Sequence, residues 1–271
     1  MSDLLLNCLA AGLYILVGGL LLQRLLRGQG YAGPARTLVL ALGLVAVLLH
    51  AVVLYTSLLV DGGINLALTN AVSLVANAVA ALFVAAILYK PVDNLGIVIM
   101  PVAGVAVLIA WLSPSAQVLL TQGTALQSLH IVISVLAYGL LSLAAVQSLL
   151  LLAQERQLRH KQPGGFIRAL PPLQTMEHLM FQLIGVGFLL LTLTVVSGAL
   201  FSEQLFGQAL RFTHHIVLSI IAWVIFAVLL LGHWRFGWRG RPAVHWTLGG
   251  FAFLALAYFG TKFVLEVILG R

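Results

Sequence analysis

The sequence predicts an all-α, polytopic membrane protein, a bundle of about eight transmembrane helices with both termini on the periplasmic side. Of its 271 residues, 62% are hydrophobic and only 8% are charged, whereas charged residues make up about a quarter of a typical soluble domain. The apolar residues gather in runs of roughly 20, the length that spans the hydrocarbon core of a bilayer. The basic residues lie between these runs, so the formal charge of +7 indicates an oriented membrane protein and not a nucleic-acid-binding one.

The predicted spans follow one another in a single transmembrane domain that takes up residues 1–271. They are expected at residues 4–22, 38–58, 66–89, 95–112, 126–152, 181–201, 213–232 and 246–269. The first run carries Asp3 where a signal peptide has basic residues, so we expect this run to remain as a span. Pro172 precedes the sixth span and favours a short surface helix that starts there and leads into the membrane.

The distribution of basic residues predicts how the bundle is oriented. Eleven Lys and Arg residues fall in loops that share one side of the membrane: Arg24, Arg27, Arg36, Lys90, Arg156, Arg159, Lys161, Arg168, Arg235, Arg239 and Arg241. Only Arg211, Lys262 and Arg271 fall towards the other side. Because loops rich in Lys and Arg stay in the cytoplasm, this asymmetry places both termini outside.

Cys8 is the only cysteine in the chain. An internal disulfide is therefore impossible, and without a C-x-x-C pair a thiol-redox mechanism is not predicted. The search for function turns to the ionisable residues within the spans, which are costly in a bilayer and are usually there for a functional reason.

A nine-residue phrase that begins with histidine occurs twice, once in span five and once in span seven. Residues 130–138 read HIVISVLAY and residues 215–223 read HIVLSIIAW, with five identical positions. Residues four apart lie close together on one face of a helix. Each copy therefore presents a polar stripe, formed by His130, Ser134 and Tyr138 in the first and by His215, Ser219 and Trp223 in the second. Both spans run inwards from the outer side, so the two imidazoles are expected at similar depth in the outer half.

The matched histidines suggest a shared ligand. Axial ligation of haem iron suits paired imidazoles. Ser134 and Ser219 would then either hydrogen-bond to the ring nitrogens or line the pocket, and Tyr138 and Trp223 would form an aromatic wall. His50, in the outer half of span two, is a further candidate that would substitute for either ligand. A divalent metal, a proton relay and simple hydrogen bonding at the interface are the alternatives. Few carboxylates lie in the outer half, which argues against a hard cation.

Other polar residues have simpler interpretations. We expect the histidines at the cytoplasmic boundary to be solvated: His160, His178, His233 and His245. Lys262 and Glu266 are four residues apart on span eight and are predicted to form an ion pair within the helix. The alternative is that Lys262 faces an anionic group. Asn70 and Asn77 on span three are predicted to hydrogen-bond to neighbouring helices.

The connection between spans seven and eight is both basic and aromatic. Trp234, Trp238 and Trp246 fall at the predicted cytoplasmic boundary, where indole rings favour the membrane interface. Residues 237–241 read GWRGR. This composition predicts contact with anionic lipid headgroups.

Several phrases in the second half of the chain resemble the cytochrome c assembly family, the CcsA/HemX-like group of inner-membrane proteins. Besides residues 130–138, the phrases are Leu170-Pro171-Pro172-Leu173, Leu191-Thr192-Leu193-Thr194, Ser197-Gly198-Ala199, Ala222-Trp223-Val224-Ile225-Phe226 and Ala257-Tyr258-Phe259-Gly260. Together they fall within residues 129–266. Within the family, the chain looks most like the YpjD-type branch, with its Gly-Trp-Arg-Gly loop and eight spans.

The resemblance implies haem handling on the outer side of the membrane. In the synthase members, outer-facing histidines flank a tryptophan-rich loop that presents haem to apocytochrome. His130 matches the first of these histidines, and His215 matches the second more loosely. The segment between Phe201 and Thr213 contains no tryptophan, so we predict neither haem–apocytochrome ligation nor any other enzymatic activity. The HemX-like relatives offer a different precedent, as membrane regulators of haem biosynthesis.

We therefore predict an inner-membrane haem-binding or haem-handling accessory protein that holds haem b near the periplasmic side, with His130 and His215 as ligands to the iron. The alternatives are a regulatory or scaffold membrane protein without haem and a secondary transporter for a small solute. The predicted partners are the lipid bilayer and other membrane or cytoplasmic proteins, contacted through residues 154–180 and 233–245. No nucleic acid is expected among them.

Overall fold

The computed structural model describes residues 2–27, 34–60, 63–90, 92–114, 118–120, 125–159, 170–200 and 214–269. Within these residues, eight helices are long and apolar enough to cross a membrane. They are α1 (Ser2–Arg27), α2 (Arg36–Leu58), α3 (Leu68–Tyr89), α4 (Asp93–Leu112), α5 (Ala125–Arg159), α6 (Leu173–Leu200), α7 (His214–Phe236) and α8 (Arg241–Ile268). The predicted class, a polytopic helical membrane protein, is confirmed. The side on which the termini lie stays a prediction.

Two helices extend well beyond the apolar runs that predicted them. The fifth, α5, continues to Arg159 and has 35 residues, about 52 Å at 1.5 Å per residue, which exceeds the hydrocarbon core. Its last turns are polar and carry an ion pair between Glu155 and Arg159 at 3.1 Å, a spacing that stabilises exposed helix. The sixth helix begins at Leu173, directly after Pro172, as the proline predicted.

A small antiparallel sheet that the sequence did not predict joins the connections in the first half. Strands β1 (Leu59–Val60) and β2 (Gly63–Asn65) pair with Leu59 opposite Ile64. A third strand, β3 (Val118–Leu120), lies beside β2. Hydropathy gives no signal for strands of two or three residues, because alternation needs about four residues to become visible.

The chain divides into two compact units. The first takes its residues from 1–119 and 153–172, and the second from 120–152 and 173–271. In the first unit, α1 packs against α2 and α4, and α3 packs against the same two helices. The approach of α1 to α4 requires a glycine, because a Cβ added to Gly104 would lie 3.0 Å from the carbonyl oxygen of Ala11. Tyr14, Phe83 and Met100 fill the core of this unit.

The second unit contains the membrane part of α5 together with α6, α7 and α8. Helix α7 packs against α6 and α8, and Leu141, Ile184, Phe226 and Leu229 are buried among the four helices. The last of these helices is irregular. It is α-helical over Arg241–Ala255, π-helical over Leu256–Gly260, α-helical over Thr261–Phe263 and π-helical again over Val264–Ile268. Short π-helical segments are rare in proteins as a whole, and those that do occur often lie at functional sites.

Candidate functional site

His130 lies near the start of α5, half-buried, with its ring held by α6. Its Nδ1 is 2.8 Å from Oγ of Ser197. The hydroxyl of Ser197 donates to the carbonyl oxygen of Thr194 at 3.1 Å, so the serine oxygen is left to accept a hydrogen bond from Nδ1–H of His130. The neutral ring then carries its lone pair on Nε2. A Cβ added to Gly198 would lie 3.6 Å from Cε1 of the same ring, an ordinary van der Waals distance, so the imidazole lies beside Gly198 of α6.

The two serines of the repeated phrase do not contact the histidine rings. Ser134 donates to the backbone oxygen of His130 at 2.7 Å, and Ser219 donates to the backbone oxygen of His215 at 2.9 Å. Both bonds run back one turn along the same helix, a common arrangement for serine within membrane helices. Ser134 also lies 3.4 Å from Oγ1 of Thr194. The serine that supports the His130 ring is instead Ser197, on a different helix.

His215, at the start of α7, is exposed on the surface of the second unit. Its ring meets the ring of Tyr258 edge-on, with centroids 6.3 Å apart. The same Tyr258 ring meets the ring of Tyr138, two turns after His130 on α5, with centroids 6.2 Å apart. The structure therefore brings the two predicted ligands into the same part of one unit. His214, its exposed neighbour in sequence, lies about 100° further round the helix.

Aromatic side chains from α5 and α8 form a cluster beside His215. Tyr138 meets Tyr258 and Phe259 edge-on, with centroid distances of 6.2 Å and 5.8 Å. The hydroxyl of Tyr138 donates to the backbone oxygen of Leu254 at 2.6 Å, two residues before α8 becomes π-helical. A carbonyl beside such a break in the helical ladder is well placed to accept a bond from outside its helix. Tyr138 thus fixes α8 and, with it, the aromatic rings near His215.

Trp223, the last residue of the second phrase, packs against α6. Its ring stacks on Phe188 with centroids 5.5 Å apart, and its Nε1 donates to Oγ1 of Thr192 at 2.9 Å. The Leu191–Thr194 phrase therefore contacts both copies of the repeat. Thr192 bonds to Trp223 of the second copy, and Thr194 lies within reach of Ser134 of the first. Thr194 also accepts the hydrogen bond from Ser197.

His50 belongs to the first unit and is completely buried there. The hydroxyl of Tyr14 donates to Oδ1 of Asn77 at 3.2 Å, so its oxygen accepts from Nδ1–H of His50, also at 3.2 Å. The hydroxyl of Ser73 then donates to Nε2 of His50 at 2.8 Å. Both ring nitrogens are thus engaged by side chains of the same unit. The predicted contacts of both asparagines with neighbouring helices are confirmed, because Asn77 accepts from Tyr14 on α1 and the amide of Asn70 donates to the backbone oxygen of Ser57 on α2 at 3.4 Å. The same amide also lies 3.3 Å from the backbone oxygen of Asn65.

The predicted ion pair of α8 is present, with Nζ of Lys262 3.1 Å from Oε1 of Glu266. Their side chains are only 17% and 9% exposed. Nζ of Lys262 also lies 5.8 Å from the centroid of the Tyr258 ring, a cation–π distance. The pair therefore borders the aromatic cluster at its far end from Tyr138.

One histidine of the other end is not solvated as the sequence led us to expect. His233 stacks on Phe181 with ring centroids 3.5 Å apart, and its Nδ1 donates to the backbone oxygen of Trp238 at 2.9 Å. The reason is the turn after α7, which returns close to the helix. His178 and His245 are exposed and make only bonds within their own helices. His160 lies outside the described residues.

The second unit offers donors that fit haem iron better than a bare metal ion. No group of three or more His, Cys, Asp or Glu side chains suited to a metal ion occurs in the described part of the chain. A porphyrin supplies the equatorial ligands itself, so that two imidazoles from the protein suffice. The bond from Nδ1 of His130 to Ser197 matches the way metal-ligating histidines are usually oriented, by a hydrogen bond to the other ring nitrogen. The nearby aromatic rings suit an apolar macrocycle.

Sequence comparison identifies a family and several relatives of this chain. Residues 38–269 match the family described as cytochrome C assembly protein, beginning well before the phrases within residues 129–266. The inner membrane protein YpjD of Escherichia coli K12 is 33% identical over 243 residues, which is 87% of this chain and 89% of that protein. An uncharacterized 28.8 kDa protein of Azospirillum brasilense is 40% identical over 52% of each chain. The cytochrome c biogenesis protein CcsA of Gloeobacter violaceus is 30% identical over 93 residues, which is 34% of this chain and 28% of that protein.

Proposed function

Because the chain belongs to the cytochrome c assembly protein family, we propose that it is a haem-binding accessory protein that holds haem b between His130 and His215. Membership of the family supports a haem-handling role in general. The relative YpjD is an inner membrane protein by name, and eight membrane-crossing helices agree with that location for this chain. On the predicted orientation, the haem lies near the periplasmic side.

The observation that carries the proposal is the fixed ring of His130. The Ser197 oxygen accepts from Nδ1–H, so Nε2 is the nitrogen that would ligate iron. His215 lies in the same unit as this ring, and Tyr258 contacts both His215 and Tyr138, which lies two turns after His130. His215 would be the second ligand, with its orientation set in part by the edge of Tyr258. Haem bound there would supply an iron centre able to change oxidation state.

The surrounding residues would form the pocket. Ser134 and Ser219 would line the pocket, each held by a hydrogen bond to the backbone oxygen one turn earlier. Tyr138 and Trp223 would supply aromatic walls, each anchored by a hydrogen bond to another helix. We propose no chemical step in which haem is joined to apocytochrome, because residues 201–213 contain no tryptophan. The protein would bind haem without acting as an enzyme.

Replacing His130 tests the proposal directly. Purified full-length protein reconstituted with haem b is expected to show a Soret band shifted from that of free haem. The His130→Ala variant is expected to bind haem at least about tenfold more weakly, because even the loss of a supporting hydrogen bond to a metal ligand costs about 10–100-fold. Titration with haem, followed in the visible spectrum, measures both effects.

The matched control is His214→Ala, which removes an exposed imidazole adjacent to His215 and should leave haem binding unchanged. A wild-type protein that gives no Soret shift would contradict the proposal. So would a His130→Ala variant that binds haem as tightly as the wild type.

A further inference from the structure

A cavity lies in the second unit, near the ends of the helices opposite to His130 and His215. It has a volume of about 350 Å³ and is lined by Gln174, Glu177, His178, Phe181, His233 and Arg239. Glu177 and Ser197 are twenty residues apart on α6, which corresponds to roughly 30 Å along a helix. The cavity is therefore separate from the proposed haem site. Its volume is at the lower end of the range for small-molecule sites, about 300–1,000 Å³.

The cavity is built by the turn between α7 and α8, which folds back onto α7. Gly237 and Gly240 take positive φ values of 68° and 62°, a conformation that favours glycine. The ring of Trp238 packs on the α7 backbone, where a Cβ added to Gly232 would lie 2.5 Å from the ring. The bond from Nδ1–H of His233 to the Trp238 oxygen holds the turn from α7.

A carboxylate from α6 fixes the end of the turn. Oε1 of Glu177 accepts a hydrogen bond from the backbone N–H of Gly240 at 2.6 Å. This bond holds residue 239, which precedes Gly240, beside the start of α6, where Arg239 lines the cavity. The site therefore presents one carboxylate and one guanidinium. Among the described residues, no ion pair joins Arg239 to Glu177 or to any other carboxylate.

The neutral groups of the cavity add hydrogen-bond donors on its α6 side. Nε2 of His178 is 2.9 Å from the amide nitrogen of Gln182. Since that amide nitrogen can only donate, the neutral ring of His178 accepts at Nε2 and carries its proton on Nδ1. Gln174, one turn earlier, adds an amide. The guanidinium of Arg239, this imidazole and this amide together suit the oxygens of a phosphate group.

We propose that this cavity binds the headgroup of phosphatidylethanolamine, with the phosphate on the donors of Arg239, His178 and Gln174 and the ammonium on Glu177. A purely anionic headgroup would leave the carboxylate facing another negative charge. A choline headgroup cannot donate to a carboxylate, and the face of Phe181 that would attract it is covered by His233. Contact of the GWRGR segment with anionic lipid headgroups stays a prediction from the sequence.

A membrane lipid is favoured over a dissolved zwitterion by the tryptophans next to the cavity. Trp234 is 83% exposed, and Trp238 and Trp246 pack together with centroids 5.6 Å apart. Indole rings grouped in this way favour the headgroup region of a bilayer. A bound lipid would have its acyl chains against the apolar surface of the helices.

Lipid competition measured on the full-length protein tests the assignment. Delipidated protein in detergent is titrated with phosphatidylethanolamine, phosphatidylglycerol and phosphatidylcholine of the same acyl chains, and bound lipid is counted by native mass spectrometry. We expect phosphatidylethanolamine to bind about tenfold more tightly than either of the others, since a hydrogen bond to a charged group is worth this much or more. Free phosphoethanolamine, the headgroup alone, should bind far more weakly.

Variants separate the two halves of the site. Glu177→Gln keeps an acceptor for Gly240 but loses its charge, so it should abolish the preference for phosphatidylethanolamine without unfolding the turn. Arg239→Gln should weaken binding of all three lipids. Arg235→Gln, an exposed arginine that does not line the cavity, is the control and should change nothing. Equal binding of the three lipids by the wild type overturns the proposal. So does an unchanged preference in Glu177→Gln, or free phosphoethanolamine binding as tightly as the lipid.

Discussion

At the scale of single residues, the hydrogen bond from Nδ1–H of His130 to Ser197 fixes the orientation of the imidazole. A histidine that only happened to lie in a membrane helix would not need such a bond. The repeated phrase led to the histidines, and it offered Ser134 and Ser219 either as partners of the ring nitrogens or as lining of the pocket. Those hydroxyls bond to the backbone of their own helices instead. The supporting oxygen comes from a helix whose Ser197-Gly198-Ala199 phrase was visible only through the family resemblance. Spacing along one helix cannot indicate which side chain of another helix will face it.

Removing the Ser197 hydroxyl should weaken haem binding while leaving His130 in place. In Ser197→Ala, Nδ1–H of His130 loses its acceptor, and the tautomer of the ring is no longer fixed. We therefore expect haem affinity to fall by about tenfold. Haem titration in the visible region measures the loss. Ser142→Ala is the matched control, because Ser142 lies twelve residues after His130 on α5 and its hydroxyl donates to the backbone oxygen of Tyr138; it should bind haem as the wild type does. Equal affinities in the two variants would rule out a positioning role for Ser197.

At the scale of helices, the apolar runs predicted all eight elements because each hydrophobic stretch had to match the thickness of a bilayer. The details that hydropathy missed have local causes. The last turns of α5 are polar, and the ion pair between Glu155 and Arg159 stabilises them beyond the apolar run. The π-helical segments of α8 leave the composition of the span unchanged, so no periodicity could reveal them. They place Tyr258 beside His215, a contact that could not be predicted from the spacing of residues along the chain.

Three helices of the first unit are joined by one buried polar chain. His50 on α2 contacts Tyr14 on α1 and Ser73 on α3, and Tyr14 continues the chain to Asn77. His50→Ala removes the central member and leaves buried polar groups unsatisfied, which costs about 1–3 kcal/mol each. We therefore expect a lower melting temperature for the detergent-solubilised variant. His245→Ala, which removes an exposed ring bonded only within its own helix, should melt as the wild type does.

The same variant decides between two roles for His50. If the residue is structural, as its two engaged nitrogens indicate, His50→Ala should retain the haem affinity of the wild type in molecules that remain folded. If haem binding is lost while the melting temperature is unchanged, His50 is the substitute ligand that the sequence suggested. The buried hydrogen bonds of His50 then contribute little to the stability of the fold.

At the scale of the whole molecule, charge and hydropathy predicted the class of protein, but not its division into two compact units. That division depends on which helices pack together, and nearly every helix here is apolar on all sides. Close-packing residues such as Gly104 decide the partners of α1 and α4, and their effect depends on contacts that are distant in sequence. For the same reason the cavity around Glu177 and Arg239 could not be predicted, because it unites the start of α6 with a turn some sixty residues later.

The orientation of the molecule follows from eleven basic residues on one side against three on the other, and it decides which compartment the haem site faces. In a Cys8→Ala background, single cysteines are introduced by Ser2→Cys at the N-terminus and by Arg235→Cys in the turn after α7. A membrane-impermeant maleimide added to intact cells, after permeabilisation of the outer membrane, should label Ser2→Cys and leave Arg235→Cys unlabelled. Disruption of the inner membrane should expose Arg235→Cys to the reagent. The reverse pattern would put the basic loops outside, against the charge asymmetry, and would turn His130 and His215 towards the cytoplasm.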